Sequence, residues 1–174
     1  AHAIKKNNNS GRLTSMESKS HWYKLANDFL PLHLKKYVNI ELSPVVEDYY
    51  SVFRGIKYKN IPNREYELVF VDGPTAEASD KTLTFNYDFL SIVKKSNIPV
   101  RAIFDTRLST VWVFHKIFGN KVKYDAFRKI GFTLPCTKKD IKHFSLDKPS
   151  NSFKDSIKYF SKTKLSLKFD NYLE

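Results

Sequence analysis

The stretch that most constrains the fold is a short apolar run that ends abruptly in a turn sequence. Residues 66–74 read Tyr-Glu-Leu-Val-Phe-Val-Asp-Gly-Pro, with four consecutive apolar residues from Leu68 to Val71. An unbroken apolar run of this length is typical of a strand covered on both faces, as in a parallel sheet flanked by helices. Gly73 and Pro74 then favour a turn, because glycine accepts positive φ and proline cannot donate to a ladder. We therefore predict a buried strand followed at once by a turn.

A second stretch has the same form. Residues 100–105 read Val-Arg-Ala-Ile-Phe-Asp, which again places an acidic residue directly after a short apolar run. Ligands of open α/β sheets bind outside the carboxyl ends of the strands, so Asp72 and Asp105 lie where chemistry is expected. We interpret both, together with Arg107, as candidate catalytic residues. Two alternatives stay open: Asp72 as a turn former that bonds its own backbone, and Arg107 as either an anion clamp or a partner of Asp105.

Extended and helical patterns alternate along most of the chain. The predicted strands are residues 12–17, 37–42, 66–71, 100–105, 122–127 and 129–134, and the predicted helices are residues 20–30, 43–53, 84–95 and 108–118. Alternation of this kind indicates βαβ units and a parallel sheet. The last two strands are separated by very few residues, so they predict a closing antiparallel pair. Farther along the chain, residues 153–160 predict a short helix and residues 165–169 an edge strand.

Length and composition favour a single globular domain. The chain has 174 residues, is 41% hydrophobic and 15% aromatic, and contains one cysteine. We expect a core over residues 1–135 and a basic C-terminal extension over residues 136–174. No apolar run reaches the length of a membrane span, the first ten residues do not read as a signal peptide, and the lone Cys136 fits a reducing compartment. These features predict a cytoplasmic protein in which Cys136 is inert packing.

The charge is strongly basic, at +12, and rests on 24 lysines against 6 arginines. Residues 121–174 carry 13 basic and 6 acidic residues, a net charge of +7. Arginine is the preferred residue for bidentate phosphate contacts, so an excess of lysine is weaker support for nucleic-acid binding. Two interpretations stay open: a solvated basic face, or a nucleic acid or other polyanion bound through the basic C-terminal region.

Several site types find no support in the sequence. It has no Walker loop, no Gly-x-Gly-x-x-Gly and only five glycines in all, so no glycine-rich phosphate cradle is available. The five histidines show no metal-ligand spacing with one another or with Cys136. Asp72 and Asp105 offer oxygen ligands for a cation such as Mg²⁺, but two carboxylates do not complete a site. We leave a divalent metal open and predict no metal ligand.

The chain resembles the class I S-adenosylmethionine-dependent methyltransferases. The resemblance rests on Leu13–Glu17, on His21-Trp22-Tyr23, on residues 66–74 and on residues 103–105, and it covers roughly residues 1–135. It implies a three-layer, Rossmann-like, mostly parallel sheet with a C-terminal antiparallel strand pair. The family's first strand and glycine-rich loop have no counterpart here. The resemblance therefore implies a truncated first βα unit and an open sheet edge, which a homo-oligomer would cover.

The same resemblance implies roles for individual residues. Glu17 holds the position of the acid that binds the cofactor ribose, while its alternative role from position alone is to cap the following helix. Asp72 corresponds to the residue near the transferred methyl, with Gly73 and Pro74 in the same cofactor-binding turn. In the small-molecule O-methyltransferases a metal is held by an Asp and an Asp-Asn pair; here Thr106 follows Asp105, which departs from that pair.

The resulting functional hypothesis is methyl transfer from S-adenosylmethionine to a small-molecule acceptor, such as a sugar hydroxyl. Two alternatives remain. One is a non-catalytic α/β binding domain that uses a basic face for a polyanionic partner. The other is a nucleotide- or sugar-nucleotide-binding enzyme of another α/β family.

Overall fold

The computed structural model describes residues 1–7, 10–75 and 77–141 of the chain. Its helices are α1 (His2–Lys6), α2 (Ser20–Phe29), α3 (Asp88–Lys95) and α4 (Leu108–Phe118), joined by 3₁₀ turns at Leu32–Tyr37, Gly119–Lys121 and Lys138–Asp140. Its strands are β1 (Leu13–Glu17), β2 (Val38–Leu42), β3 (Val45–Tyr50), β4 (Phe53–Tyr58), β5 (Leu68–Val71), β6 (Phe85–Asn86), β7 (Arg101–Phe104), β8 (Val122–Asp125) and β9 (Ile130–Thr133).

The strands form three small sheets. β1 and β2 pair in parallel and stand alone; β3, β4 and β6 form a second sheet; and β5, β7, β9 and β8 lie in that order in a third. The second sheet contains an antiparallel pair, and the third is parallel only between β5 and β7. The prediction of a single, mostly parallel, Rossmann-like sheet is therefore wrong. Within the described residues no ladder joins β1 to β5, so the parallel pairs lie in separate sheets.

A hairpin stands where a helix was predicted after Ser43-Pro44. β3 and β4 pair antiparallel along their full length, and Ser51 at the tip has a φ of 54°. Valine and tyrosine dominate β3, and such β-branched and aromatic side chains fit a pleated surface better than a helix. Ser43 is fully buried, and its hydroxyl accepts from the backbone N–H of Asn60 at 2.9 Å rather than capping a helix. The Ser-Pro start signal was therefore misleading.

β5 is less buried than its sequence suggests. Val69 and Val71 face the core, whereas Leu68 and Phe70 are 56% and 63% exposed. β5 pairs with β7 on one side and forms the edge of its sheet. The prediction of a strand covered on both faces is wrong here, because one face of this edge strand has no covering element among the described residues. A homo-oligomer that covers such an edge stays a prediction.

The hydrophobic core lies between the four-stranded sheet and helices α3 and α4. Phe114 of α4 is fully buried at its centre and packs against Phe104, Phe89 and Phe118, with ring centroids 5.2, 5.3 and 5.9 Å apart. Offset and edge-on aromatic pairs of this kind stabilise a core beyond their buried area. α4 has the predicted bounds. α3 begins only at Asp88, because residues 85–86 form β6 against β4.

The closing strand pair is present as β8 and β9, which are antiparallel. Most of the basic extension, residues 142–174, lies outside the described residues, and so do the helix predicted over 153–160 and the strand predicted over 165–169. The polyanion prediction placed on that region falls there too. Among the residues the structure describes, no helix has the length and apolar character needed to cross a bilayer.

Candidate functional site

Three carboxylates mark the C-terminal ends of three strands. Glu17 is the last residue of β1, Asp72 follows β5 directly, and Asp105 follows β7. β5 and β7 run parallel with Val71 opposite Phe104, so their two aspartates lie side by side. The strand-end placement predicted from the apolar runs is therefore found for all three acids, although the strands belong to two sheets.

Tyr58, the last residue of β4, connects the ends of β1 and β5. Its hydroxyl donates to the carbonyl oxygen of Met16 at 3.2 Å. The same hydroxyl lies 3.0 Å from the position that a Cβ on Gly73 would take, so only glycine allows this close approach without a shift. Burial raises the pKa of Tyr58; Asp88 acts on it in the same direction, and so do the carboxylates of Glu17 and Asp72. The phenol therefore stays neutral between two acids.

Asp72 and Asp105 form a carboxyl pair. The Asp72 side chain is near enough to Asp105 to act on its pKa. Burial raises the pKa of Asp105; Arg107 opposes this effect, and the Asp72 carboxylate adds to it. Two neighbouring carboxylates resist ionising together, so one holds its proton to higher pH. Such a pair can take up or release a proton closer to neutrality than an ordinary aspartate can.

Arg107 holds the two strand-end loops together. Its Nε donates to Asp105 Oδ1 at 3.0 Å, and its terminal nitrogens donate to the carbonyl oxygens of Asp72 and Pro74 and to Asn86 Oδ1. Most of its five N–H groups are thus engaged within the protein. Of the two alternatives for this residue, the structure favours the partner of Asp105 over an anion clamp.

Asn86 and Thr110 complete this network, and sequence reasoning missed both. Asn86 is fully buried and donates to the Pro74 carbonyl at 2.8 Å, while Thr110 donates to Asn86 Oδ1 at 3.2 Å and accepts from its backbone N–H at 3.0 Å. The Gly73–Pro74 bond in this loop is cis. The only sequence sign was an amide between apolar neighbours, in Phe85-Asn86-Tyr87, since buried polar groups require partners.

Glu17 binds the turn just ahead of α2 and does not cap that helix. Its Oε1 accepts from the backbone N–H groups of Ser18 at 2.7 Å and Lys19 at 2.9 Å, just ahead of α2. Both bonds use the same oxygen. Within the described part of the chain no group hydrogen-bonds to Oε2, so that oxygen remains available to a ligand.

The arrangement does not fit a divalent metal. Among residues 1–7, 10–75 and 77–141, no three His, Cys, Asp or Glu side chains come together as a ligand set. Arg107 also places a cation on Asp105 Oδ1, where a metal ion would compete with it. Thr106 is exposed beside the pair. Cys136 is fully buried, and burial raises the pKa of its thiol to about 11, which suits inert packing.

Comparisons with protein-family models, with curated proteins and with solved structures gave no match for this chain.

Proposed function

We propose that the chain binds S-adenosylmethionine at the ends of β1, β5 and β7 and transfers its methyl group to a hydroxyl of a small-molecule acceptor. The observation that carries this proposal is that Glu17 and Asp72 both lie near the Tyr58 hydroxyl, with Asp105 beside Asp72. Acids at strand ends are the groups with which α/β proteins bind ribose hydroxyls and orient substrates.

The residues present fit part of this cofactor. Glu17 Oε2 is available to ribose hydroxyls, because only Oε1 accepts from the backbone N–H groups of Ser18 and Lys19. Asp72 is exposed on the turn beside it, and Gly73 has no side chain to block the approach. When bound, S-adenosylmethionine supplies an electrophilic methyl group on a sulfonium. These residues therefore account for binding of the ribose and not of the rest of the cofactor.

Asp105 is the proposed proton acceptor for the acceptor hydroxyl. Its Oδ1 accepts from Arg107 Nε at 3.0 Å, so Oδ2 is the oxygen that takes the proton. Arg107 fixes the plane of this carboxylate through its bonds to the neighbouring loop. Asp72 lies beside it and orients the hydroxyl. Because the pKa of Asp105 is raised, its basicity exceeds that of an ordinary aspartate.

Calorimetric titration with S-adenosylmethionine and S-adenosylhomocysteine tests binding. We expect saturable binding that Glu17→Ala weakens about tenfold or more, the effect of losing hydrogen bonds to a charged group. Glu67→Ala is the matched control, because Glu67 is an exposed acid just ahead of β5 whose side chain has no bond among the described residues. No binding by a folded chain, or equal losses in both variants, would contradict the proposal.

Asp105→Asn tests the proton step once an acceptor is found. We expect methyl transfer to slow by about 10²–10⁴-fold while affinity for S-adenosylhomocysteine stays within about twofold. In the unmodified chain the rate should rise with pH as Asp105 loses its proton, and this limb should be missing from the variant. An unchanged pH profile would exclude Asp105 as the base.

A further inference from the structure

We propose that a lysine-lined cavity between the β3–β4 hairpin and helix α3 is a binding site for a phosphate group. The cavity has a volume of about 170 Å³. Its lining residues are Asp48, Lys57, Tyr58, Lys59, Ile61, Tyr87, Ser91, Lys94 and Lys95. Four lysines against a single carboxylate make it the kind of concave basic surface that concentrates anions.

The positive charge is only partly neutralised by the protein. Lys57 forms an ion pair with Asp48, which accounts for the one acidic residue of the lining. Lys94 donates to the Tyr87 hydroxyl at 2.6 Å, lies over the rings of Tyr50 and Tyr87, and acts on the Asp48 carboxylate, so its charge is engaged within the protein. The side chains of Lys59 and Lys95 have no hydrogen bond or ion pair with any residue that the structure describes. These two ammonium groups are thus available to a ligand.

Ser91 is a second and independent sign of a ligand. It lines the cavity from the first turns of α3 and is only 9% exposed. Its Oγ is buried and has no hydrogen-bond partner. A buried hydroxyl without a partner costs free energy, and a rotation about χ1 that lets Ser91 donate to an anion in the cavity would remove that cost.

Tyr87 adds another donor. It is 3% exposed, and its oxygen already accepts from Lys94 Nζ. The phenolic proton is therefore left for a different acceptor. Together with Ser91 and the lysines it gives the cavity donors in excess of acceptors, which suits an oxyanion rather than a cation or an amide.

The size of the cavity indicates how much of a ligand it takes. Sites for whole small molecules usually measure about 300–1,000 Å³, so about 170 Å³ suits one tetrahedral anion. Lys59 and Lys95 are exposed at the rim, where an attached group can extend into solvent. Two sources share this chemistry, free inorganic phosphate and the phosphate of a small monoester.

Titration with inorganic phosphate at constant ionic strength, followed by the amide NMR signals of Ser91 and Tyr87, tests the site. We expect saturable shifts at both residues, and no comparable shifts when chloride replaces phosphate. Glucose 6-phosphate is the second probe. Tighter binding of the monoester assigns the site to a phosphorylated ligand, and equal or weaker binding assigns it to the free anion. Shifts that do not saturate, or that chloride reproduces, would overturn the proposal.

Two variants separate a built site from a general basic surface. Lys59→Gln/Lys95→Gln should weaken phosphate binding about tenfold or more, and Ser91→Ala about threefold, since charge-assisted bonds are the stronger ones. The control Lys24→Gln/Lys123→Gln removes two exposed lysines that do not line the cavity and changes the net charge equally. It should leave binding within about twofold. Equal losses in the control would mean that only the overall charge attracts the anion. Lys59 and Lys95 are exposed, so thermal unfolding should be unchanged in their variant.

Discussion

Two regions of this molecule use amphipathic elements in opposite ways. The aromatic core unit comprises β5, β7, β8 and β9 with α3 and α4; the β1–β2 unit comprises β1, β2 and α2. α4 buries six of its eleven residues, whereas α2 buries none of its ten. Trp22 and Phe29 of α2 are 54% and 79% exposed. Both helices have the apolar spacing of an amphipathic helix, but of the two only α4 buries its apolar residues against the rest of the fold.

The difference shows that a periodic pattern specifies a helix but not its partner. Free energy comes from the apolar area removed from water, so α4 stabilises the fold and α2 contributes little. Few buried contacts also mean that a segment opens at lower free energy than the rest. We therefore expect the β1–β2 unit, with Glu17 at its edge, to unfold before the aromatic core unit.

The largest expected effect is in the core. Phe114→Ala should lower the free energy of unfolding by about 3–5 kcal/mol, because it removes a fully buried ring and leaves a cavity among four other phenylalanines. Urea denaturation followed by circular dichroism measures this. Phe29→Ala is the matched control, and it should change stability by no more than about 0.5 kcal/mol.

Phe114→Leu keeps the test usable if the alanine variant does not fold, with an expected cost of about 1.5 kcal/mol. Similar costs for Phe114→Ala and Phe29→Ala would mean that the β1–β2 unit is packed against something in solution. The contrast between the two units would then not hold.

Asp88, between β4 and α3, gives the core unit a pH dependence. Asp88 is 7% exposed, and burial raises its pKa to about 7. The backbone N–H of Tyr58 donates to Oδ1, which lowers the pKa, while Oδ2 has no hydrogen-bond partner. The folded state therefore holds a proton that the unfolded state releases near pH 4, so stability falls as pH rises from about 4 to 7. Asp88→Asn should remove this slope and gain up to about 4 kcal/mol relative to the unmodified chain at pH 8.

Thermal unfolding of both proteins at pH 5, 6, 7 and 8 measures that difference. The control is Asp28→Asn, an exposed acid on α2, which should run parallel to the unmodified chain at every pH. A constant offset between Asp88→Asn and the unmodified chain would show that Asp88 is ionised throughout this range.

Gly131 tests how tightly the core is packed. A Cβ at this position would lie 2.5 Å from Val111 Cγ2 and 3.1 Å from Phe104 Cδ2. Valine is stiff at χ1, so it cannot swing away, and Gly131→Ala should cost about 1–3 kcal/mol. In a Val111→Ala background most of that cost should disappear. Equal costs in both backgrounds, measured by urea denaturation, would show that the strand shifts instead of the side chain.

The sequence predicted local elements better than their assembly. The apolar spacing located α4 at its observed bounds, and the runs ending in Asp72 and Asp105 placed both acids at strand ends. The prediction failed at Val45–Tyr50, because the Ser-Pro helix start signal was given more weight than the β-propensity of these residues. In the structure they pair with the second strand of the hairpin. The sequence also could not show that β1 and β5 belong to different sheets, because strand pairing depends on contacts distant in the chain.

The candidate site was predicted to a similar extent. Glu17, Asp72, Asp105 and Arg107 were singled out because they lie at the ends of predicted strands; the strand ends are confirmed, and the functional roles stay predictions. Tyr58 was missed because it ends a strand of the hairpin, whereas the sequence predicts a helix over residues 43–53 and no strand between them and residue 66. The phosphate cavity was missed because Lys57, Lys94 and their neighbours come together only when α3 packs near the hairpin.

The smallest expected effect is at the start of α2. Lys19 occupies the N-cap with extended backbone angles but has no capping side-chain bond. Lys19→Ser offers a hydroxyl to the free N–H groups of the first turn and should stabilise α2 by about 0.5–1 kcal/mol; Lys19→Ala, which lacks that acceptor, is the control.

The two tryptophans lie one in each unit, so Trp112→Phe leaves Trp22 as a fluorescent reporter of α2 alone. In that background Lys19→Ser should raise the urea midpoint seen by Trp22, while the midpoint seen by Trp112 in a Trp22→Phe background stays unchanged. Equal shifts at both tryptophans would mean that the two units unfold as one, and that the poorly covered α2 is nevertheless coupled to the core.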